Sequence, residues 1–216
     1  MLNQNILNWS EIKRAPQKPG IYAWYFRPQL ADHDIKELIN KINEDPVNAS
    51  DQIKIFLSDR LFKYFKQKPY EVQISGQLKP KYSGTIEHEQ GISKELITRI
   101  IETPERLFDI RNLLEKSAPM FASPLYVGMS SNIYRRVNQH VSCIKKYKEL
   151  AINPLRRFVE EEISYEEKSF AQRIVEREIP STLLFLVFQI TDGKLDIEVD
   201  VENIINRIYY PTFGRN

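Results

Sequence analysis

The stretch Thr182 to Ile190, with the sequence TLLFLVFQI, is the feature that most limits how this chain can fold. Its longest apolar run, Leu183 to Phe188, is far shorter than the roughly 20 residues that a membrane-spanning helix needs. A short apolar segment without polar alternation is typical of a strand covered on both faces. The stretch therefore predicts the central strand of a sheet.

The composition favours one soluble, folded protein. The chain has 216 residues, of which 42% are hydrophobic and 28% charged, enough for a sizeable core. Its single cysteine, Cys143, excludes an internal disulfide framework and a zinc site of several thiolates. The first residues lack the apolar stretch of a signal peptide. We therefore expect a cytoplasmic protein with no membrane segment.

Two more strands are predicted at 20–26 and 120–128. The first, GIYAWYF, is rich in aromatic residues and follows the turn signal Lys-Pro-Gly. Together with 182–190 they predict an α/β fold, a small antiparallel three-stranded sheet flanked by helices. Helices are expected at 131–141, within 154–178 and from an N-cap at Asp200 to a stop before Pro211.

A second, inserted subdomain is predicted over residues 27–123. Apolar residues recur there at helical spacing, and helices are expected at 34–43, 51–67, 93–102 and 104–116. A strand at 70–78 and a polar loop at 79–91 are expected between the second and the third of these helices. The chain thus divides into residues 1–26 with 124–216, and a mostly helical insertion.

Charge is unevenly distributed, although the net charge is only +2. Residues 135–157 hold seven basic residues and one acid, whereas residues 158–216 hold six basic and twelve acidic ones. The basic stretch is either a solvated helix face or a surface for a polyanion such as nucleic acid.

Three separated pieces of sequence share one pattern. Gly20-Ile21-Tyr22 begins one strand, and Tyr126-Val127-Gly128 ends another. Arg136 follows ten residues after Tyr126, and His140 lies four residues later, on the same face of the predicted helix. The third piece is Glu202 on the last helix, followed at fixed offsets by Pro211 and Asn216.

These pieces resemble the GIY-YIG nuclease superfamily, and the resemblance covers 18–26 and 124–216. It implies a DNA endonuclease that uses Mg²⁺ or Mn²⁺. Tyr22 would be the base, with Tyr126 positioning the water and His140 relaying a proton. The resemblance further implies phosphate binding by Arg136, metal binding by Glu202 and an orienting role for Asn216. The basic stretch adds DNA contacts by Arg135, Arg136, Lys145 and Lys146.

The chain departs from the family pattern at two points. Met129 follows the second motif glycine, where many relatives have lysine or serine. Tyr22 and Tyr126 are 104 residues apart, whereas the family joins the two strands by a short turn. An antiparallel pair tolerates such an insertion because closure entropy grows slowly with loop length. Taken singly, each motif residue is also explained as a structural or surface residue.

The function expected from the sequence is a restriction-type endonuclease. Because one active site cuts one strand, we expect a homodimer. The alternatives are a structure-specific repair or mobile-element nuclease, and a catalytically silent nucleic-acid-binding protein. The insertion is expected to supply DNA recognition or the dimer interface, or only to cap the fold.

Overall fold

The structure is a computed structural model that describes residues 5–65, 70–76, 79–86, 91–152, 169–193 and 197–213. Its strands are β1 (Asn5–Asn8), β2 (Gly20–Phe26), β3 (Tyr70–Gly76), β4 (Lys79–Ile86), β5 (Tyr126–Ser130) and β6 (Leu184–Ile190). Its α-helices are α1 (Asp32–Glu44), α2 (Ala49–Leu57), α3 (Lys94–Glu102), α4 (Arg106–Phe121), α5 (Ile133–Ile152), α6 (Phe170–Glu176) and α7 (Ile197–Tyr209). The fold is α/β, as predicted.

The main sheet is antiparallel and has four strands in the order β1-β6-β2-β5. The prediction of three strands was wrong, because β1 was missed. β1 is only four residues long, Asn-Ile-Leu-Asn, and too short to show a periodic pattern. It pairs with β6 from Asn5 opposite Phe188 to Asn8 opposite Phe185.

The apolar segment forms β6, which lies between β1 and β2. Its first three residues, Leu184, Phe185 and Leu186, are all buried. The prediction of a central strand here is confirmed, although β6 begins two residues later than expected. Burial of successive residues on alternating faces means that the sheet is covered on both sides at this point.

Helices cover both faces of the main sheet. Along β2 the more deeply buried residues alternate with half-buried ones, so Tyr22 faces one side and Ile21 the other. His140 of α5 contacts Tyr22, which places α5 on the first side. On the second side, Ile205 and Tyr209 of α7 line a groove together with Ile21 and Ala23 of β2. This places α7 on the second side.

The chain divides into two compact units, residues 1–28 with 114–216 and residues 29–113. The first holds the four-stranded sheet. The second contains α1, α2, α3 and the β3–β4 hairpin, and its core is built from apolar residues of the helices, including Ile35, Ile53 and Ile100. The predicted boundaries lie after residue 26 and before residue 124, whereas the second boundary between the observed units falls between residues 113 and 114, within α4.

Two local predictions in the region of the insertion were wrong. The stretch 79–91 was expected to be a loop, but Lys79–Ile86 forms β4 and pairs with β3. Residues 120–128 were expected to be one strand, but α4 continues to Phe121 and β5 spans Tyr126–Ser130. Met120 and Phe121 suggested a strand by their apolar character, yet both are exposed on the end of a helix.

The last helix begins earlier than predicted. α7 starts at Ile197, so Asp200 lies in its first turn rather than at the N-cap, where its charge still favours the helix dipole. The helix ends at Tyr209, before Pro211, as predicted. Among the described residues, no helix is both long enough and apolar enough to cross a membrane.

Gly20 allows β2 to approach β6 closely. A Cβ atom at this position would lie 2.2 Å from the backbone oxygen of Gln189, which belongs to the neighbouring strand. We expect Gly20→Ala to lower the free energy of unfolding by about 3 kcal/mol, because a backbone atom of a paired strand cannot move aside. Urea unfolding followed by circular dichroism measures the change.

Gly91→Ala is the matched control, because a Cβ atom there meets nothing within 4 Å. We expect it to change the free energy of unfolding by less than about 0.5 kcal/mol. Equal stabilities of the two variants would contradict the close approach of β2 and β6 at Gly20.

Candidate active site

Tyr22 lies in the middle of β2 and points to the face covered by α5. Its side chain is buried, and its Oη lies 2.8 Å from Nε2 of His140. β2 is a central strand, paired with β5 on one side and β6 on the other. The hydroxyl is therefore fixed by the sheet below it and by the helix above it.

Tyr126 lies on the same face of the sheet as Tyr22, as the pairing of β5 with β2 requires. Tyr22 is opposite Gly128, and Trp24 is opposite Tyr126, so the two tyrosines are diagonal neighbours. Their ring centroids are 6.1 Å apart. Tyr126 is the first residue of β5 and is half-buried, whereas Tyr22 is fully buried.

Gly128 explains why the two phenols can lie over the same strand. A Cβ atom at Gly128 would stand 2.8 Å from Tyr22 Oη and 2.7 Å from Tyr126 Cε1. Any side chain here would displace both rings. Gly128 is thus required by the packing of the Tyr22 and Tyr126 rings over it.

A short turn carries the chain from β5 into α5. The backbone N–H of Asn132 donates to Ser130 Oγ at 3.0 Å, and the N–H of Arg135 donates to Asn132 Oδ1 at 2.9 Å. The backbone N–H of Ile133 also donates to the carbonyl of Lys18, just before β2. These bonds fix the start of α5 relative to both tyrosine strands.

Arg136 and His140 lie one turn apart on α5. His140 is buried, with its ring centroid 5.2 Å from that of Tyr126 and 5.8 Å from that of Tyr22. Arg136 is exposed, and its Nη1 donates to Gln139 Oε1 at 3.4 Å. The helix thus presents a buried imidazole and an exposed guanidinium to the same pair of tyrosines.

Burial keeps the imidazole neutral. Burial, together with the positive charge of Arg136, lowers the pKa of His140 to about 4. A neutral histidine has one unprotonated ring nitrogen. With the proton on Nδ1, the Tyr22 hydroxyl donates its hydrogen bond to Nε2.

Tyr22 is also held neutral. Burial raises the pKa of the Tyr22 phenol, and Tyr126 raises it further, whereas Arg136 acts in the opposite direction without outweighing them. A nearby cation by itself makes a phenolate more accessible. In the free protein, burial is the larger effect, so Tyr22 needs a proton acceptor, and His140 is in contact with it.

Arg136 remains charged at the edge of the cluster. Burial opposes its charge, but interactions with the Tyr22 and Tyr126 hydroxyls outweigh this, so the pKa of Arg136 is raised. Because its side chain is exposed, the guanidinium is also accessible from solvent. This combination suits an arginine that meets a phosphate from outside.

Sequence reasoning missed the aromatic residues that enclose the cluster. The Phe170 ring centroid lies 5.1 Å from that of Tyr126 and 5.4 Å from that of His140, and it stacks on Trp24 at 6.0 Å. Trp24 was detectable, since it lies two residues after Tyr22 on the same strand face. Phe170 carries no sequence signal, because it is one apolar residue in the short helix α6.

Glu202 and Asn216 are placed differently from the other predicted residues. Glu202 is half-buried on α7, three residues before Ile205, and α7 packs on the sheet face opposite Tyr22. Asn216 lies outside the described residues. The structure therefore brings together Tyr22, Tyr126, Arg136 and His140.

Glu202 is the acidic residue on which the predicted metal site depends. Within the described ranges, no group of three or more His, Cys, Asp or Glu side chains could hold an ion. Glu198, one turn earlier, is buried and accepts a hydrogen bond from Thr191 Oγ1. Mg²⁺ is usually held by one or two carboxylates together with substrate phosphates and water. Because α7 lies on the sheet face opposite Tyr22, the structure does not bring Glu202 to the tyrosine cluster, and its metal role rests on the family resemblance alone.

The predicted DNA contacts lie along α5. Arg135, Lys145 and Lys146 are exposed, and Arg135 and Lys146 lie on the same side of the helix, three turns apart. Lys148 differs from them, because its Nζ donates to Ser181 Oγ at 2.7 Å and burial lowers its pKa. Exposed basic side chains thus lie at the start of α5, at Arg135 and Arg136, and again further along it, at Lys145 and Lys146.

Comparisons with known proteins give no match to a protein-family model, to a curated protein or to a solved structure. The resemblance to GIY-YIG nucleases therefore remains a prediction that rests on the motif residues.

His140 should make stability depend on pH. Its folded pKa of about 4 lies below the ordinary value of 6.5, so below about pH 6.5 the unfolded chain binds a proton that the folded chain does not. This residue should therefore lower the free energy of unfolding by up to about 3 kcal/mol as the pH falls from about 6.5 to about 4.

His140→Gln keeps a polar side chain beside Tyr22 but does not titrate. Urea unfolding at several pH values should show a smaller loss of stability on acidification than in the wild type. His33→Gln, at an exposed position, is the control and should keep the wild-type slope. A slope unchanged by His140→Gln would show that the imidazole is not buried as described.

Proposed function

We propose that this protein is a divalent-metal-dependent DNA endonuclease of the GIY-YIG type. The observation that carries the proposal is the cluster in which Tyr22 Oη lies 2.8 Å from His140 Nε2, with Tyr126 and Arg136 beside it. Tyr22 lies 104 residues before Tyr126, and Arg136 and His140 follow on a different element, yet the motif pattern predicted all four as site residues. Their meeting on one sheet face supports the proposal.

Phosphodiester hydrolysis needs a water that loses a proton as it attacks phosphorus. Tyr22 Oη would accept that proton while its own proton passes to His140 Nε2, so that the phenol is never a free phenolate in a buried site. Tyr126, less deeply buried, would hold the water by its hydroxyl. The products are a 5′-phosphate and a 3′-hydroxyl, the latter protonated from water.

Substrate binding itself favours this proton transfer. The charge of Arg136 is one of the two causes that keep the pKa of His140 low. A phosphate bound to the guanidinium cancels part of that charge, so it makes His140 a stronger base when substrate is present. Arg136 would also stabilise the charge that builds on the phosphorane oxygens.

Glu202 is the residue proposed to hold Mg²⁺ or Mn²⁺. When bound, such a cation would supply charge stabilisation for phosphodiester hydrolysis. This role for Glu202 comes from the family resemblance, since α7 lies on the sheet face opposite Tyr22. Asn216 keeps its proposed orienting role. Arg135, Lys145 and Lys146 would contact the DNA backbone, which fixes position without reading sequence.

A restriction-type enzyme acting as a homodimer is the form of this activity that we propose, since two strands need two sites. The test is incubation of long, unmodified duplex DNA with Mg²⁺ and, separately, with EDTA. Discrete metal-dependent fragments are expected. A metal-dependent smear or nicked circles would favour a repair or mobile-element nuclease, and DNA binding without cleavage would overturn the catalytic proposal.

Tyr22→Phe removes the hydroxyl and leaves the ring in place. We expect it to lower the cleavage rate on the order of 10²- to 10⁴-fold, as loss of a proton-transfer group does. Tyr25→Phe is the matched control, because Tyr25 lies on the same strand and faces the other side. It should cleave at close to the wild-type rate. Equal rates for both variants would remove Tyr22 from the reaction.

Glu202→Gln removes the charge that a divalent metal needs. We expect cleavage to be abolished, whereas DNA binding measured without metal should be largely retained. Glu102→Gln, at an exposed position of α3, is the control and should remain fully active. Full activity of Glu202→Gln would exclude Glu202 as the metal ligand.

A further inference from the structure

Helix α7 carries an apolar stripe that is separate from its sheet-facing side. The stripe consists of Ile197, Val201, Ile204 and Ile208, which recur at intervals of four, three and four residues. Three of them, Ile197, Ile204 and Ile208, are 50%, 56% and 63% exposed. This spacing is that of the a and d positions in a coiled coil, where apolar side chains pack against a second helix.

The two flanks of this stripe differ in accessibility. On one flank, Glu198 is buried and Ile205 lines the groove against the sheet. On the other flank, Asp200 and Arg207 are both exposed. They directly precede Val201 and Ile208, so both occupy g positions, the positions that flank the seam of a coiled coil.

The charges on the accessible flank fit an antiparallel partner. In an antiparallel helix pair, the same flank of each helix meets, with the N-terminal half of one opposite the C-terminal half of the other. Asp200 lies toward the start of α7 and Arg207 toward its end, so each acid would face the arginine of the other copy. A parallel pair would instead press this flank against the one that the sheet covers.

We propose that α7 is a dimerisation helix on which a second copy of this chain docks antiparallel. The two-fold axis passes between Val201 and Ile204, so Val201 of each copy packs against Ile204 of the other. Ile197 and Ile208 pair in the same way at the two ends. Two Asp200–Arg207 ion pairs close one side of the contact. The proposal rests on α7 alone and is independent of the nuclease activity.

The first test is the oligomeric state of the full chain by sedimentation equilibrium over micromolar to submillimolar concentrations. We expect a monomer–dimer equilibrium for the wild type, since the contact is short. Ile204→Glu should be monomeric throughout. Ile55→Glu, the same change at an exposed isoleucine of α2, should dimerise as the wild type does. Circular dichroism checks that both variants fold.

The second test uses the charges. Asp200→Arg and Arg207→Asp should each weaken the dimer on the order of tenfold, because each places like charges opposite one another. Mixing the two variants should restore the dimer, since every pair in the mixed dimer is again of opposite sign. The double variant should also regain it.

These outcomes decide the proposal without reference to DNA cleavage. A wild type that is monomeric at all concentrations would overturn it. So would an Ile204→Glu variant that dimerises as well as Ile55→Glu, or charge variants whose mixture dimerises no better than either one alone. Restoration in the mixture would establish the antiparallel arrangement.

Discussion

The hydrogen bond between Tyr22 and His140 joins a central strand to the helix that covers it, and the rest of the candidate site is arranged around this bond. Two glycines leave the room that the strands and the Tyr22 side chain need for this bond to form. Gly20 lets β2 lie close against β6, and Gly128 leaves room for the Tyr22 hydroxyl over β5. A hydroxyl enclosed in this way cannot ionise by itself, so its chemistry depends on the neutral imidazole beside it.

The sequence predicted the parts of the site that depend on short-range geometry. The alternation of β2 and the four-residue spacing of Arg136 and His140 fix which side chains share a face, whatever the remaining fold. The apolar segment 182–190 predicted its own central position, because only a strand covered on both faces tolerates such a composition. These features follow from residue type and spacing within one element.

The other features depend on contacts between elements distant in sequence. β1 has four residues and is a strand only because β6 offers it an edge. Phe170 encloses the cluster because α6 packs on α5, and nothing in its own neighbourhood shows this. The depth of burial that keeps Tyr22 protonated is likewise a property of the whole packing. Desolvation raises the pKa of Tyr22 by more than the nearby cation Arg136 lowers it, and the sequence cannot show how deeply Tyr22 is buried.

The register of the main sheet has a consequence for how the chain folds. Tyr22 pairs with Gly128 and with Phe188, residues more than a hundred positions away, whereas β3 and β4 form a hairpin of neighbouring residues. Pairing across long separations is slow, because the loop must close before any contact stabilises it. The unit of residues 29–113 can therefore form before β2 has paired with β5 and β6. The candidate active site is therefore among the last parts of the protein to form, and its integrity reports that folding is complete.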